Sequence, residues 1–449
     1  MNSRILGILY LLILFNSCNK SAGPKNTLVL SFCSLSRTNL PYYNDNFSDL
    51  TNFKQVFDHS FVFLNSYSNV SWSNLKRYMA RDVWKNKYRK NDQKNENPLQ
   101  KWSDESFDYL FLRIPSVESV DDDIVNYYKD NRLTSVDDDF NLIKQTIDNL
   151  ANGKNKISII HFKFMHYPYL SQELFASAIS DKVFESGELE IINKYRKSPL
   201  SFPDKKVFFQ VLFAFKEFDS FFIKNGNRLD FTNDKSEIAK WKNSQGFEKD
   251  FKILKKVYAY RLKILDKFIG KVFDYYQKNY ENKMNFVLSG DHGESFMEHD
   301  SLTHSGIPYD ESISFFYSLH ISGQTDNKII RKQLSQKAQE NQIVYLTKNN
   351  PSVDDFDAFI NKKENDENEI YSYSCSGDVS SLRVANKWKG IYNFVTNEYK
   401  LYDLSNDQFE LVDVSKKYPD LVLDLKLKQS LHLEKLTFIK GGCINSYNF

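Results

Sequence analysis

Short apolar runs of strand length alternate along most of the chain with longer stretches whose apolar positions recur at helical spacing. Residues 26–32 (NTLVLSF) read as a strand that ends in the polar segment Cys33-Ser34-Leu35-Ser36-Arg37, where the chain should leave a sheet. Residues 58–67 (DHSFVFLNSY) alternate well enough for a second strand, and Ser73 precedes a helix expected to begin at Asn74. Segments 83–105 and 114–136, rich in Lys, Asn and Asp, are expected to hold long solvated loops. Segment 138–150 places Phe140, Ile143, Ile147 and Leu150 at helical spacing, and Gly153 separates it from a strand pattern at 157–164. A helix that returns the chain into a strand is the βαβ pattern of a parallel sheet. The second half repeats it: residues 249–278 carry one broad apolar face from Phe251 to Phe273 and feed MNFVLSG at 284–290, the composition of a strand covered on both sides.

Periodicity fades between 324 and about 378, around the polar run KKENDENE, so residues 321–380 are expected to form a divergent, loop-rich excursion. Short alternating runs from 381 onward and a helix-like stretch at 419–427 predict a smaller C-terminal α+β subdomain, 381–449, containing antiparallel strands. The fold class so read is α/β, with a mostly parallel central sheet flanked by helices across residues 26–320.

Composition adds constraints without choosing a fold. Sixty Lys and Arg against 58 Asp and Glu give a net charge of +2 with no long basic block, so no nucleic-acid partner is expected and any anion site must be local. The first residues are more telling. Arg4 precedes the apolar run 5–15, too short to span a bilayer, and Asn16-Ser17-Cys18 follows; this is an export signal. It resembles a bacterial lipoprotein signal over residues 1–18, in which Cys18 becomes the lipid-bearing first residue and 19–25 the linker to the folded body. The expected location is the cell envelope, periplasmic or surface-facing, with attachment to the membrane through a lipid on Cys18. An ordinary signal peptide cleaved near a cysteine is the alternative. Cys33, Cys375 and Cys443 are too widely spaced for an all-cysteine metal cluster, and the last two are either free thiols or a disulfide.

Chemistry concentrates after the strand at 284–290, in Asp291-His292-Gly293-Glu294, Glu298-His299 and His304-Ser305-Gly306. Carboxylate and imidazole groups at the carboxyl end of a strand are placed for metal or anion binding. Residues 284–320 resemble the closing active-site segment of the sulfatase and alkaline-phosphatase-like superfamily, including Tyr309-Asp310-Glu311. His166-Tyr167-Pro168-Tyr169 resembles that family's His-x-Pro-Tyr, and Lys387-Trp388-Lys389 with Leu401-Tyr402-Asp403-Leu404 resembles its ending. The resemblance implies an alkaline-phosphatase-like fold and attack on a sulfate or phosphate ester by a metal-activated oxygen. It places the nucleophile at Ser73 and a supporting cation at Arg77, with Ser71 as the local rival and a simple helix cap as the alternative for Ser73. His166 and His304 fall at the leaving or transferred oxygens, and Asp291 and His292 among the metal ligands.

Departures from the family pattern set the open questions. Leu75 stands where the family has proline, so formylglycine is not expected and the candidate nucleophile is an unmodified hydroxyl. Cys33 stands where the first metal carboxylate belongs, and Ser314 where an arginine does. Three readings stay open: one divalent ion, zinc, with Cys33 as a ligand; manganese or calcium held by Asp291 and His292 with a group such as Asp58 assisting; or a broken metal site in which Cys33 is a buried thiol. Two functions remain: a hydrolase or transferase for a sulfate or phosphate ester, or a catalytically inactive lipoprotein that binds an anionic glycan or other envelope ligand. The ester, glycan or lipid headgroup is in each case anionic.

Overall fold

A computed structural model describes residues 26–71 and 108–114, parts of 140–151, and 156–435 apart from a few short breaks. Ser73, Arg77, Cys18, Cys375 and Cys443 lie outside the described residues, as do the helix expected at Asn74 and the two polar segments around 83–105 and 115–136.

Seven strands form the central sheet: β1 (Asn26–Phe32), β2 (Phe61–Tyr67), β3 (Asp108–Ile114), β4 (Lys156–Phe162), β5 (Met284–Gly290), β6 (Ser314–His320) and β7 (Lys328–Ser335). Their spatial order is β7-β2-β6-β5-β1-β4-β3. β6 runs antiparallel to its neighbours β2 and β5, and every other adjacent pair is parallel. The sheet is thus mostly parallel, as its apolar strands imply, with one reversed strand because residues 291–313 return directly from the end of β5. β2 is shorter than the alternation at 58–67 suggests, since Asp58 closes helix α1 (Thr51–Asp58) and residues 59–60 turn the chain into the sheet.

Helices cover both faces. The helix expected at 249–278 is α2 (Phe247–Tyr280), whose Leu254, Val257, Leu262, Leu265, Ile269, Val272 and Phe273 are buried in the larger core cluster with β1 and β5. The opposite face of β1 and β5, with Val29 and Val287, packs against α3 (Gln336–Asn349) and α4 (Val353–Ile360) through Ile343, Leu346, Phe356 and Ile360. Burial of this apolar area, at about 25 cal/mol per Å², is the main force that fixes the layers.

Residues 321–380 differ from their expected loop-rich character: they supply β7, α3, α4 and the first strand of a second sheet. Polarity hid these elements. β7 is an edge strand whose first residues are half exposed, and the buried face of α3 carries Gln336, Gln339 and Gln342 beside its apolar residues. The second sheet is antiparallel, in the order β8 (Glu369–Tyr373), β9 (Val379–Val384), β10 (Trp388–Asn393) and β11 (Tyr399–Asp403), and α5 (Pro419–Lys435) packs on it. Among the described residues no helix is long and apolar enough to cross a membrane.

Candidate metal and anion site

Register decides where the chemistry gathers. In the parallel ladder Phe32 lies opposite both Gly290 of β5 and Phe162 of β4, so three chain segments leave the sheet at one level. Their first hydrogen bonds hold that level, Asp291 N–H donating to Phe32 O at 3.0 Å and Cys33 N–H to Phe162 O at 2.8 Å. Cys33, Asp291 and His166 are therefore delivered by β1, β5 and β4 to the carboxyl end of the sheet.

Cys33, Asp291 and His292 form a buried cluster whose ligand atoms all lie within 4.8 Å of one another. His292 Nε2 is 3.7 Å from Cys33 Sγ and 3.5 Å from Asp291 Oδ1. Tetrahedral zinc with ordinary bond lengths separates its ligand atoms by about 3.3–3.6 Å. The other imidazole nitrogen, Nδ1, lies 2.7 Å from Gly293 O and donates to it, which leaves Nε2 as the lone-pair atom aimed at the cluster. Burial also lowers the pKa of His292, favouring the neutral form that a ligand requires. The three residues make a single-metal site of borderline-soft character, fitted to a divalent ion and to zinc above the harder cations.

Supporting contacts fix the ligands. Gln336, at the start of α3, donates to Asp291 O at 2.6 Å, and Gln339 donates to Ser289 Oγ at 2.6 Å. Gly293 allows the loop to approach the turn before β6, since a Cβ there would lie 2.0 Å from Glu311 O and 3.0 Å from Ser314 O. Both are backbone atoms and cannot swing aside. Gly293→Ala is expected to displace the 291–294 loop and weaken zinc binding by at least about tenfold, read by competitive titration with a chelator; unchanged affinity would contradict the geometry.

Further titratable groups adjoin the cluster. The His304 ring is 4.5 Å from that of His292 and 4.8 Å from that of His166, centroid to centroid. His304 Nδ1 is 3.3 Å from Glu294 Oε1 and 3.3 Å from Ser34 Oγ. Burial pushes the Glu294 carboxyl up to about 8, and the neighbouring His292 moderates that rise. Tyr258 on α2 donates to Ser34 O at 2.9 Å and accepts from Ser36 N–H at 3.2 Å, holding the 33–36 turn.

The structure thus clusters Cys33, Asp291 and His292, with His304 beside His292 and His166 beside His304. Arg37 lies next to the turn but donates to Leu64 O at 2.8 Å and lies over the Tyr67 ring. Asp58, considered as an assisting ligand, is absent from the cluster and pairs with Lys54 at 2.7 Å and with Tyr42 at 2.6 Å. Sequence reasoning assigned no role to Glu294, Ser34 or Tyr258. Glu294 was within reach, standing in the Asp-His-Gly-Glu run, whereas Tyr258 is one of many apolar-face residues on α2 and carries no local signal.

Neither a family model nor a curated protein sequence matches the chain. Solved structures do. The structure of BT4656 in complex with its substrate D-glucosamine-2-N,6-O-disulfate is 12% identical, with a TM-score of 0.59 over 92% of this chain and 99% of that one. The phosphonate monoester hydrolase of Agrobacterium radiobacter is 11% identical, with a TM-score of 0.58 over 91% and 95%. BT1596, described as a 2-O GAG sulfatase, is 12% identical, with a TM-score of 0.57 over 92% of each chain. The chain shares its fold with these solved sulfatase and phosphonate monoester hydrolase structures.

Proposed function

We propose that this protein is a hydrolase or transferase for a sulfate or phosphate ester, exported to the cell envelope and held there by a lipid on Cys18. The observation that carries the reading is the buried Cys33–Asp291–His292 cluster with His304 and His166 beside it, at the carboxyl ends of central strands in this fold. Solved proteins of the same fold include one bound to a disulfated glucosamine and a phosphonate monoester hydrolase, which supports an anionic ester on a glycan as the substrate class. A bound zinc ion would supply positive charge to the transferred group.

The chain's own residues would do the rest. His304, oriented by Glu294 through Nδ1, and His166 are the groups within reach to hold or move a proton at the leaving oxygen. Ser73 is the candidate hydroxyl nucleophile, with Arg77 one turn further along the expected helix. Asp291→Asn and Ser73→Ala are each expected to lower turnover of aryl sulfates and phosphates by at least about 1,000-fold. Wild-type rates in both variants would sink the assignment.

A second reading, a catalytically silent protein that binds an anionic glycan, draws on Cys33 standing at a carboxylate position. It predicts a measurable glycan affinity that depends on His304 and Asp291, with no turnover in the wild type.

A further inference from the structure

The path of the chain from Cys18 into the sheet bears on which face meets the membrane. Asn26, the first residue of β1, pairs with Met284, the first residue of β5, and β4 begins beside them. The same end holds the last turns of α2 and α3, since Tyr276 on α2 donates to Met284 O at 2.7 Å and Thr347 on α3 lies 2.7 Å from Thr27. Cys33, Asp291 and His292 lie beyond the other end of β1, which is seven residues long and rises about 23 Å. Strand direction therefore puts the entry of the chain and the site at opposite poles of the sheet.

Seven residues, 19–25, separate Cys18 from Asn26 and reach about 25 Å at full extension. A folded body of roughly 400 residues has a radius near 28 Å, so a path over its surface from one pole to the equator takes about 43 Å. The linker is too short to carry the anchor past the equator, let alone to the pole that holds the site.

Resting on the reading of Cys18 as the lipid-bearing residue, we infer that the strand-start end of the central sheet faces the anchoring bilayer and the site faces away from it. The anionic ester then comes from the aqueous side, on a soluble or polymeric glycan, and not from a headgroup of the bilayer that holds the protein. Of the ligand sources open at the sequence level, the geometry argues against the lipid headgroup of the anchoring bilayer.

The test uses lipid-bearing protein in vesicles of phosphatidylethanolamine and phosphatidylglycerol containing a headgroup-nitroxide lipid. A fluorescent amino acid replaces either Asn282, exposed in the turn before β5, or Asp300, exposed in the loop that follows the metal ligands. Quenching at 282 is expected to exceed that at 300 by at least about threefold, and a thirty-residue Gly/Ser insertion after Lys20 should narrow the difference. Equal or stronger quenching at 300 overturns the inference, as does an intact mass without lipid on Cys18. Turnover of a sulfated glycolipid placed in the same vesicles overturns it too. Inactivity on every ester would count against the proposed hydrolase and leave the orientation to the two probes.

Discussion

Purified protein lacking residues 1–18 is expected to retain close to one zinc ion per chain, and Cys33→Ala and Asp291→Asn are each expected to lose it. Elemental mass spectrometry after gel filtration reads the result directly. Loss of an outer partner of a metal ligand weakens binding about 10–100-fold, so loss of a ligand itself should exceed about 100-fold. The expectation rests on the donor set: a thiolate, an imidazole whose second nitrogen is committed to Gly293 O, and a carboxylate, with separations of 3.5 and 3.7 Å about His292 Nε2. Manganese or calcium retained at full occupancy in Cys33→Ala would show that the thiol is a bystander. Zinc affinity should fall as pH falls, because the thiolate and the imidazole must both shed protons to bind.

The largest stability effect is expected where the second sheet docks on the site loop. Asp310, at the turn before β6, pairs with Arg383 of β9 and, at 2.7 Å, with Lys389 of β10, two residues that lie opposite each other in the antiparallel ladder. Lys389 also meets Glu410 at 2.7 Å, and Glu410 accepts from Asp310 N–H at 2.7 Å. Lys389 is fully buried and Arg383 nearly so, with its guanidinium 4.0 Å from the Tyr67 ring centroid. Asp310→Ala removes the carboxylate that pairs with the buried Arg383 and leaves Lys389 with Glu410 alone, and is expected to cost about 3–5 kcal/mol in denaturant unfolding. A loss below about 1 kcal/mol would mean that water reaches the cluster.

The pH dependence of that contribution has a definite sign. Burial opposes the Asp310 carboxylate, but Arg383 and Lys389 outweigh it and hold its pKa well below the usual carboxylate range. Stability from this group is therefore present above the ordinary aspartate value and is lost as pH falls through the depressed one. Asp310→Asn should flatten the acid limb of the stability profile relative to wild type.

The docking cluster also connects fold to site. His299, in the same 291–313 loop as His304, stands 2.8 Å from Glu311 and 3.0 Å from Glu410 O and stacks on Tyr309. Burial works against its imidazolium, but Glu311 and Glu410 raise its pKa, so both nitrogens can donate. The C-terminal sheet thereby braces the loop that presents His304.

Local pattern made much of this legible. Apolar runs with sharp polar ends marked β1 and β5 because strands covered on both faces need continuous apolar sequence, and the 3.6-residue stripe marked α2 because a long helix must bury one face. Elements at 321–380 escaped because an edge strand and a helix with buried glutamines carry no such stripe. Asp291 and His292 were visible as neighbours in one motif. Cys33 was visible only as a departure from a family pattern, and the sequence left open whether it was a ligand or a bystander.

The sequence by itself determined the α/β class, the principal strands and helices, and the run of acid and imidazole groups at the candidate site. Each is a property of a short window, in which side-chain periodicity and turn chemistry act within a few residues. The tertiary structure alone decided that Cys33 meets His292 across 259 positions of chain, that Glu294 lies against His304, and that Asp310 locks the second sheet in place. These depend on the register of parallel strands and the polarity of one reversed strand. Long-range pairing sets both, and no local pattern encodes it.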